Sequence, residues 1–250
     1  MLIALCFGIC AGGDLTMYGG GDNLVAVGMY EGFTHAMWMR YMLPMTLITM
    51  IGIAAILMLF IQDEEIREVE IQKRKVNWVA VLCLLVTIVL VFKGFLAGAA
   101  IITFLAFILL AKPSLLIEDI PYRLMAIWTI AFLFGKLSGY LVLNSLTIQT
   151  NENVAFLILC GITSMATIFC TNTATAACVM GIYFALFPLS PITFCLLLKC
   201  INVGYLTIFH NTCLAAGSGY GISQKKLFKI GLPVTIYQLL IISIFLFFWI

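Results

Sequence analysis

Residues 170–181 read CTNTATAACVMG, which sets the hydroxyl and amide side chains of Thr171, Asn172 and Thr173 in a row, with Thr175 just after and Thr167 about one helical turn before. The residues on either side, 154–169 and 176–187, are largely apolar. A polar group in hydrocarbon is costly unless it is partnered, so these side chains must serve something. Two answers are open. A broken helix exposes carbonyls at one end and amides at the other. The amide end suits an anion, and the carbonyl end, joined by hydroxyl and amide oxygens, suits a small hard cation. Asn172 can donate and accept, and the hydroxyls can do either, so one pocket without formal charge could hold a cation beside an anionic ligand. Alternatively, Thr171, Asn172 and Thr173 cap the two arms of a helical hairpin, a role for which Thr and Asn are suited.

Two further stretches resemble each other. LTMYGGGDNLVAVGMY starts at Leu15 and LTIFHNTCLAAGSGY at Leu206. Both open Leu-Thr-apolar-aromatic, cross a Gly-rich or polar patch, reach Leu24 or Leu214, and continue to Gly and Tyr. The run Gly19–Gly21 disfavours continuous helix. Taken alone, GGGDN reads equally as a tight loop and FHNT as a polar surface turn; their similarity favours a shared function. Asp14 and Asp22 flank the glycines, and an intramembrane carboxylate is a functional candidate by default, as a proton or cation site. Asp22 reads equally as a loop residue beside a wet cavity. His210 reads first as a hydrogen-bonded structural residue. Lys136 and Lys199 fall within apolar spans and read as structural, although Lys136 could also neutralise an anion. No nucleophile–base pair, HExxH, GxSxG, Walker loop or paired-cysteine motif is present, so enzyme catalysis has no support and no organic cofactor is expected.

The elements that would carry these residues are membrane helices. The chain has 250 residues, 64% apolar and 10% charged, where a soluble domain is about half apolar and a quarter charged. Apolar segments of spanning length cover 37–61, 78–92 with 95–111 close behind, 124–146, 191–209 and 229–250, without the alternation of a membrane barrel. The expected fold is an all-α polytopic membrane protein. Its nine cysteines, such as Cys83, Cys160 and Cys195, mostly lie in apolar runs and read as small helix residues. Residues 62–77 form either an amphipathic helix on the membrane surface or a solvated connector. Most Lys and Arg lie in 62–77, 112–123 and 221–229, against Arg40 and Lys93 in the opposite loops. The positive-inside rule puts the basic side in the cytoplasm and the C-terminus outside. The segment 154–187 then dips in from outside as a re-entrant hairpin, and the two similar stretches run in opposite directions. Inverted repeats with unwound helices at the midplane are the architecture of many secondary transporters. The expected division is 1–35 as the interrupted helix of the first repeat, 36–111 as membrane helices, and 112–250 as the second repeat. Within that second repeat, 191–220 is the interrupted helix and 229–250 the last. Nothing indicates nucleic-acid binding.

The same residues carry a family resemblance. TNTATAACVMGIYFALFP resembles the Ser-Asn-Thr hairpin of the divalent anion/sodium symporter family, within the wider ion transporter superfamily. IEDIPYRLMAIWTIAFLFGKLSGYLVL resembles its Ile-Pro-Trp segment and following Gly-rich helix. HNTCLAAGSGYGISQKKLFKIGLPV resembles the Gly-Ser-Gly-Tyr stretch before its last helix, and GGDLTMYGGGDNLVAVG its Gly-Thr-Pro-Pro-Asn segment. The four stand in family order over most of the chain. The resemblance implies a cation-coupled, elevator-type carrier of small anions such as dicarboxylates, working as a homodimer, with sodium (or a proton) as coupling ion. It implies substrate contacts from Thr171, Asn172, Thr173, Asn211, Thr212 and Asn23. It implies sodium ligands among Thr167, Thr171, Asn172, Gly19 and Asn23, and a place for His210 at the second unwound segment. The chain departs from the family pattern in three ways. Thr171 replaces the first Ser, both unwound segments lack their proline pair, and no first Ser-Asn-Thr hairpin occurs. The chain also begins inside an apolar segment, MLIALCFGIC, with no signal-peptide pattern. It is therefore expected to be the C-terminal part of such a carrier, its N-terminal half missing. The alternative is a non-transporting or partner-dependent membrane subunit.

Overall fold

The computed structural model describes residues 2–60, 78–92, 151–211, 213–215 and 222–249, with isolated positions between 95 and 137. The proposed surface helix 62–77, Lys136, Thr212 and most of 104–150 lie outside the described residues. The chain divides into two compact units, one of Met1–Glu64 with Ala126–Ile250 and one of Glu65–Met125. In the smaller unit, helix α4 (Trp78–Phe92) is apolar apart from Thr87, whose hydroxyl pairs with that of Thr103 at 3.2 Å.

The larger unit holds every candidate residue that is described. Helix α1 (Leu2–Gly13) is apolar and stops at a Gly pair. A non-helical stretch, 14–20, leads to α2 (Gly21–Met29), whose Gly20 cap is extended and offers no side-chain bond. Helix α3 (His35–Phe60) begins at Thr34, whose hydroxyl accepts from the Met37 amide at 3.3 Å. Its first turns widen to a π-helix over Trp38–Met42, directly before Pro44, which has no N–H to return to the Arg40 carbonyl. Helix α5 (Glu152–Phe169) opens on the Asn151 cap, with Glu152 in its first turn, the charge a helix N-terminus favours. The chain extends through Cys170 and Thr171 and re-enters helix as α6 (Asn172–Leu186). Helix α7 (Pro191–Ile201) starts with proline at its first turn and ends at Asn202. After a non-helical run and a short helical piece at 213–215, α8 (Gln224–Trp249) closes the unit.

Helices α3, α5 and α8 are long and apolar enough to cross a membrane; α1, α6 and α7 are shorter apolar helices. No strand occurs among the described residues, in line with the all-α expectation. The expected 191–209 span is shorter in the structure, because helix stops at Ile201. The first arm of the expected hairpin is itself 18 residues, about 27 Å at helical rise.

The distribution of side chains inverts that of a soluble protein. Ile51, Met58, Leu59, Phe247 and Phe248 are exposed, while Asp14, Asp22, Asn23, Asn172, Lys199, Asn202 and His210 are buried. Aromatic edges pack the far end of α2 against the core: Tyr30 meets Phe184 and Phe194, and Phe33 meets Trp38. Tyr237 on α8 lies over Gly52 on α3 and donates to the Ile48 carbonyl at 2.8 Å.

Candidate functional site

The three helix breaks, 14–20, 170–171 and 202–211, meet in one buried cluster. Helix α6 packs along α2, so the two helix starts lie side by side. At the start of α6, the Asn172 amide donates to the His210 carbonyl of the third break at 3.0 Å. The Asn172 side chain donates through Nδ2 to Asn202 Oδ1 at 2.5 Å. Asn202 Nδ2 in turn donates to Asp14 Oδ1 at 3.0 Å, in the first break, and to Asp22 Oδ2 at 2.8 Å, in the first turn of α2 that follows it. One carboxamide at the end of α7 therefore links all three breaks.

Asp14 is the most heavily partnered group. Its Oδ2 takes the Lys199 ammonium at 2.5 Å, a pair buried on both sides. Its Oδ1 also lies 3.5 Å from Asn23 Nδ2, and its backbone carbonyl accepts from the Trp38 indole at 3.1 Å and the Thr46 hydroxyl at 3.5 Å. The π-turn of α3 contains Trp38; such turns often sit at functional sites. Asn23 Nδ2 also reaches the Gly13 carbonyl at 3.1 Å and the Thr16 carbonyl at 3.4 Å, holding the 14–20 loop closed. Gly19 permits that closure: a Cβ there would stand 2.1 Å from the Gly13 carbonyl oxygen.

The third break is held from two sides. His210 Nδ1 lies 3.3 Å from the Thr167 carbonyl, and Thr207 donates to the Ile168 carbonyl at 2.6 Å. Side chains of α8 take the opposite carbonyls, Thr235 that of Val203 at 3.1 Å and Gln224 that of Leu206 at 2.7 Å. Non-helical backbone at membrane depth requires such protein partners.

The candidates named from sequence are not placed alike. Asn23 and Asn172 are buried in the cluster. Thr167 is buried beside it, its hydroxyl bonded to the Ser164 carbonyl at 3.2 Å. Thr171 is the N-cap of α6, accepting from the Ala174 amide at 3.3 Å, so capping explains at least that hydroxyl. Thr173 is half-buried. Asn211 is half-buried and accepts from the Cys213 amide at 2.9 Å. Gly19 is exposed. Asp14 and Asp22, the intramembrane carboxylates named from sequence, stand at the centre, together with Lys199, which reads as structural, and Asn202, which the sequence does not single out. Asp14 carries the sequence signal of an intramembrane carboxylate, and Lys199 that of a charge in an apolar run. Asn202 follows FCLLLKCI without any local sign of its position.

Several buried polar atoms in the cluster have no hydrogen-bond partner: Asn23 Oδ1, Asn172 Oδ1, Thr175 Oγ1 and His210 Nε2. Buried polar atoms in folded proteins are nearly always satisfied, so these are places for a ligand, ion or water. Among the described residues no group of three or more His, Cys, Asp or Glu side chains is placed to hold a metal ion. Any metal bound here would rely largely on amide, hydroxyl and carbonyl oxygens. A separate cavity of about 80 Å³, lined by residues including Glu152, Asn153, Phe187, Ser190 and Thr193, opens at the opposite ends of α5 and α6. It lies about 20 Å of helix from the cluster. No protein-family model matches the chain, and no curated protein matches it.

Proposed function

We propose that the chain is a multi-pass membrane carrier that couples a cation, sodium in the first instance, to the movement of a small anion such as a dicarboxylate. The observation that supports this reading is the meeting of three helix breaks at one buried polar cluster. Broken helices around a shared cavity are how transporters bring backbone dipoles and polar side chains to a substrate at the midplane. In this reading Asn23, Asn172 and the neighbouring Thr167 contribute oxygens to a cation. The amide end of α6, with Thr171 and Thr173, faces the anion, and Asn211 borders it from the third break. The family resemblance extends the reading to an elevator movement within a homodimer, with the C-terminus on the outer side.

Asn172 is the decisive residue, since it meets two of the three breaks. Sodium-driven uptake of labelled succinate into vesicles carrying the full chain should fall at least tenfold on Asn172→Ala. Uptake by that variant equal to the parent's would remove Asn172 from the site.

A further inference from the structure

The resemblance places cation ligands on uncharged side chains, yet the cluster contains formal charges. It holds two carboxylates, Asp14 and Asp22, and one ammonium, Lys199, all buried. Lys199 is committed to Asp14. Asp22 receives only an amide from Asn202, at 2.8 Å, besides backbone N–H groups at the start of its own helix. Among the described residues, no Lys, Arg or His is paired with it. Two negative charges against one positive leave one carboxylate uncompensated in a buried place, which is unfavourable without a counter-charge.

Residues that stand with Asp22 in the cluster carry unpartnered buried oxygens. A Cβ built on Gly20 would stand 2.6 Å from Asp22 Oδ1 and 3.6 Å from Asn23 Nδ2. The absent side chain thus lets the carboxylate and the Asn23 carboxamide come together against bare backbone. Asn23 Oδ1 has no partner. Across the Asn202 bridge, Asn172 Oδ1 is likewise unpartnered, and its carboxamide already faces the cluster through Nδ2. Thr175, one turn along α6 from Asn172, buries a third such oxygen. A carboxylate with nearby neutral oxygens is the donor set of a hard cation. The charge count fits a monovalent ion, because a divalent one would leave an excess positive charge.

We propose that the cluster binds one mobile monovalent metal cation, sodium in the first instance, with Asp22 as its anionic ligand and the Asn23 and Asn172 oxygens completing its shell. The Lys199 ammonium, paired with Asp14, stands in for a second cation. This refines the coupling ion of the transport reading, but it is tested by binding alone, so either can fail while the other stands.

The test is sodium binding to the purified full chain in nanodiscs, by equilibrium dialysis with radiolabelled sodium and by thermal stability, choline chloride holding ionic strength constant. The parent should bind one sodium per chain and gain melting temperature saturably. Asp22→Asn, which keeps the shape and removes the charge, should lose both responses. Lys199→Met should raise the count to two, and Asp14→Asn added to it should return the count to one. Parent binding of no sodium, or of two, would overturn the proposal, as would sodium binding by Asp22→Asn equal to the parent's. Should Asp22→Asn fail to fold, the parent count and the Lys199→Met count still decide: a count unchanged by Lys199→Met removes the ammonium from the assigned role.

Discussion

Asn202 touches Asp14, Asp22 and Asn172 through one carboxamide, and the arrangement uses its chemistry fully. Its nitrogen gives two protons to two carboxylates, while its oxygen takes the Asn172 amide. An Asp could accept but not donate, and a Leu could do neither. Hydrogen bonds to charged groups contribute about 1.5–3 kcal/mol each, and a buried partner left unsatisfied adds its desolvation cost. Asn202→Ala should therefore lower stability by about 3 kcal/mol or more, measured by denaturation in mixed micelles. A loss under about 1 kcal/mol, typical of a surface change, would show that the bridge is dispensable. This residue also marks where sequence reading stops. Thr171, Asn172 and Thr173 attract attention because three polar side chains interrupt an apolar run. Asn202 is a single polar residue at the end of such a run, and its partners lie 30, 180 and 188 positions away. Only the packing of α7 beside α2 and α6 brings them together.

The breaks are built by different means, and this decides which were legible. The first helix stops at the Gly12–Gly13 pair, and three consecutive glycines, with no side-chain cap at Gly20, lead openly into α2. Thr171, an N-cap type with its hydroxyl on the Ala174 amide, restarts α6 equally openly. The third break has no such local signal at Ile201, and apolar VGYLTIF continues past it, so the sequence predicts an apolar span to residue 209. What keeps 203–207 out of helix is tertiary: carbonyls taken by Thr235 and Gln224, the Thr207 hydroxyl on α5, and a close approach at Gly204. A Cβ on Gly204 would lie 2.8 Å from the Thr167 carbonyl oxygen and 2.6 Å from His210 Nδ1. The imidazole could turn aside, but the carbonyl belongs to helix backbone. Gly204→Ala should push the segment off α5 at a cost of about 1–3 kcal/mol and impair sodium-driven uptake. Helix content by circular dichroism should stay unchanged, because no helix contains the residue. Parent-like stability and uptake would mean that the contact relaxes freely. Adding His210→Ala should not restore the loss if the backbone contact dominates.

Membrane character was the most legible property of the chain because it depends on composition summed over long windows, which no local packing choice can reverse. The apolar windows over α3 and α8 predict helices long enough to cross, and the structure has them; α5, expected as a short arm of a re-entrant hairpin, is also long and apolar enough to cross. Burial then separates two kinds of side chain that composition treats alike. On α3, Thr46 and Thr49 face inward, Thr46 reaching the Asp14 carbonyl, while Ile51, Met58 and Leu59 face outward. If that outer surface meets lipid, a charge on it must cross hydrocarbon unaided, whereas a change on the inner face is judged only by its neighbours. Ile51 is 71% exposed near the middle of the apolar part of α3. An acidic residue at the centre of a membrane helix costs about 2.5–3.5 kcal/mol in apparent insertion free energy. Ile51→Asp should therefore cut the carbonate-resistant membrane fraction of the full chain severalfold. Thr49→Val, which removes only a hydroxyl bonded within its own helix to the Met45 carbonyl, should leave that fraction unchanged. Equal fractions for Ile51→Asp and the parent would mean that the outer face of α3 is covered by protein or water. The exposed apolar surface would then have to be assigned to an interface.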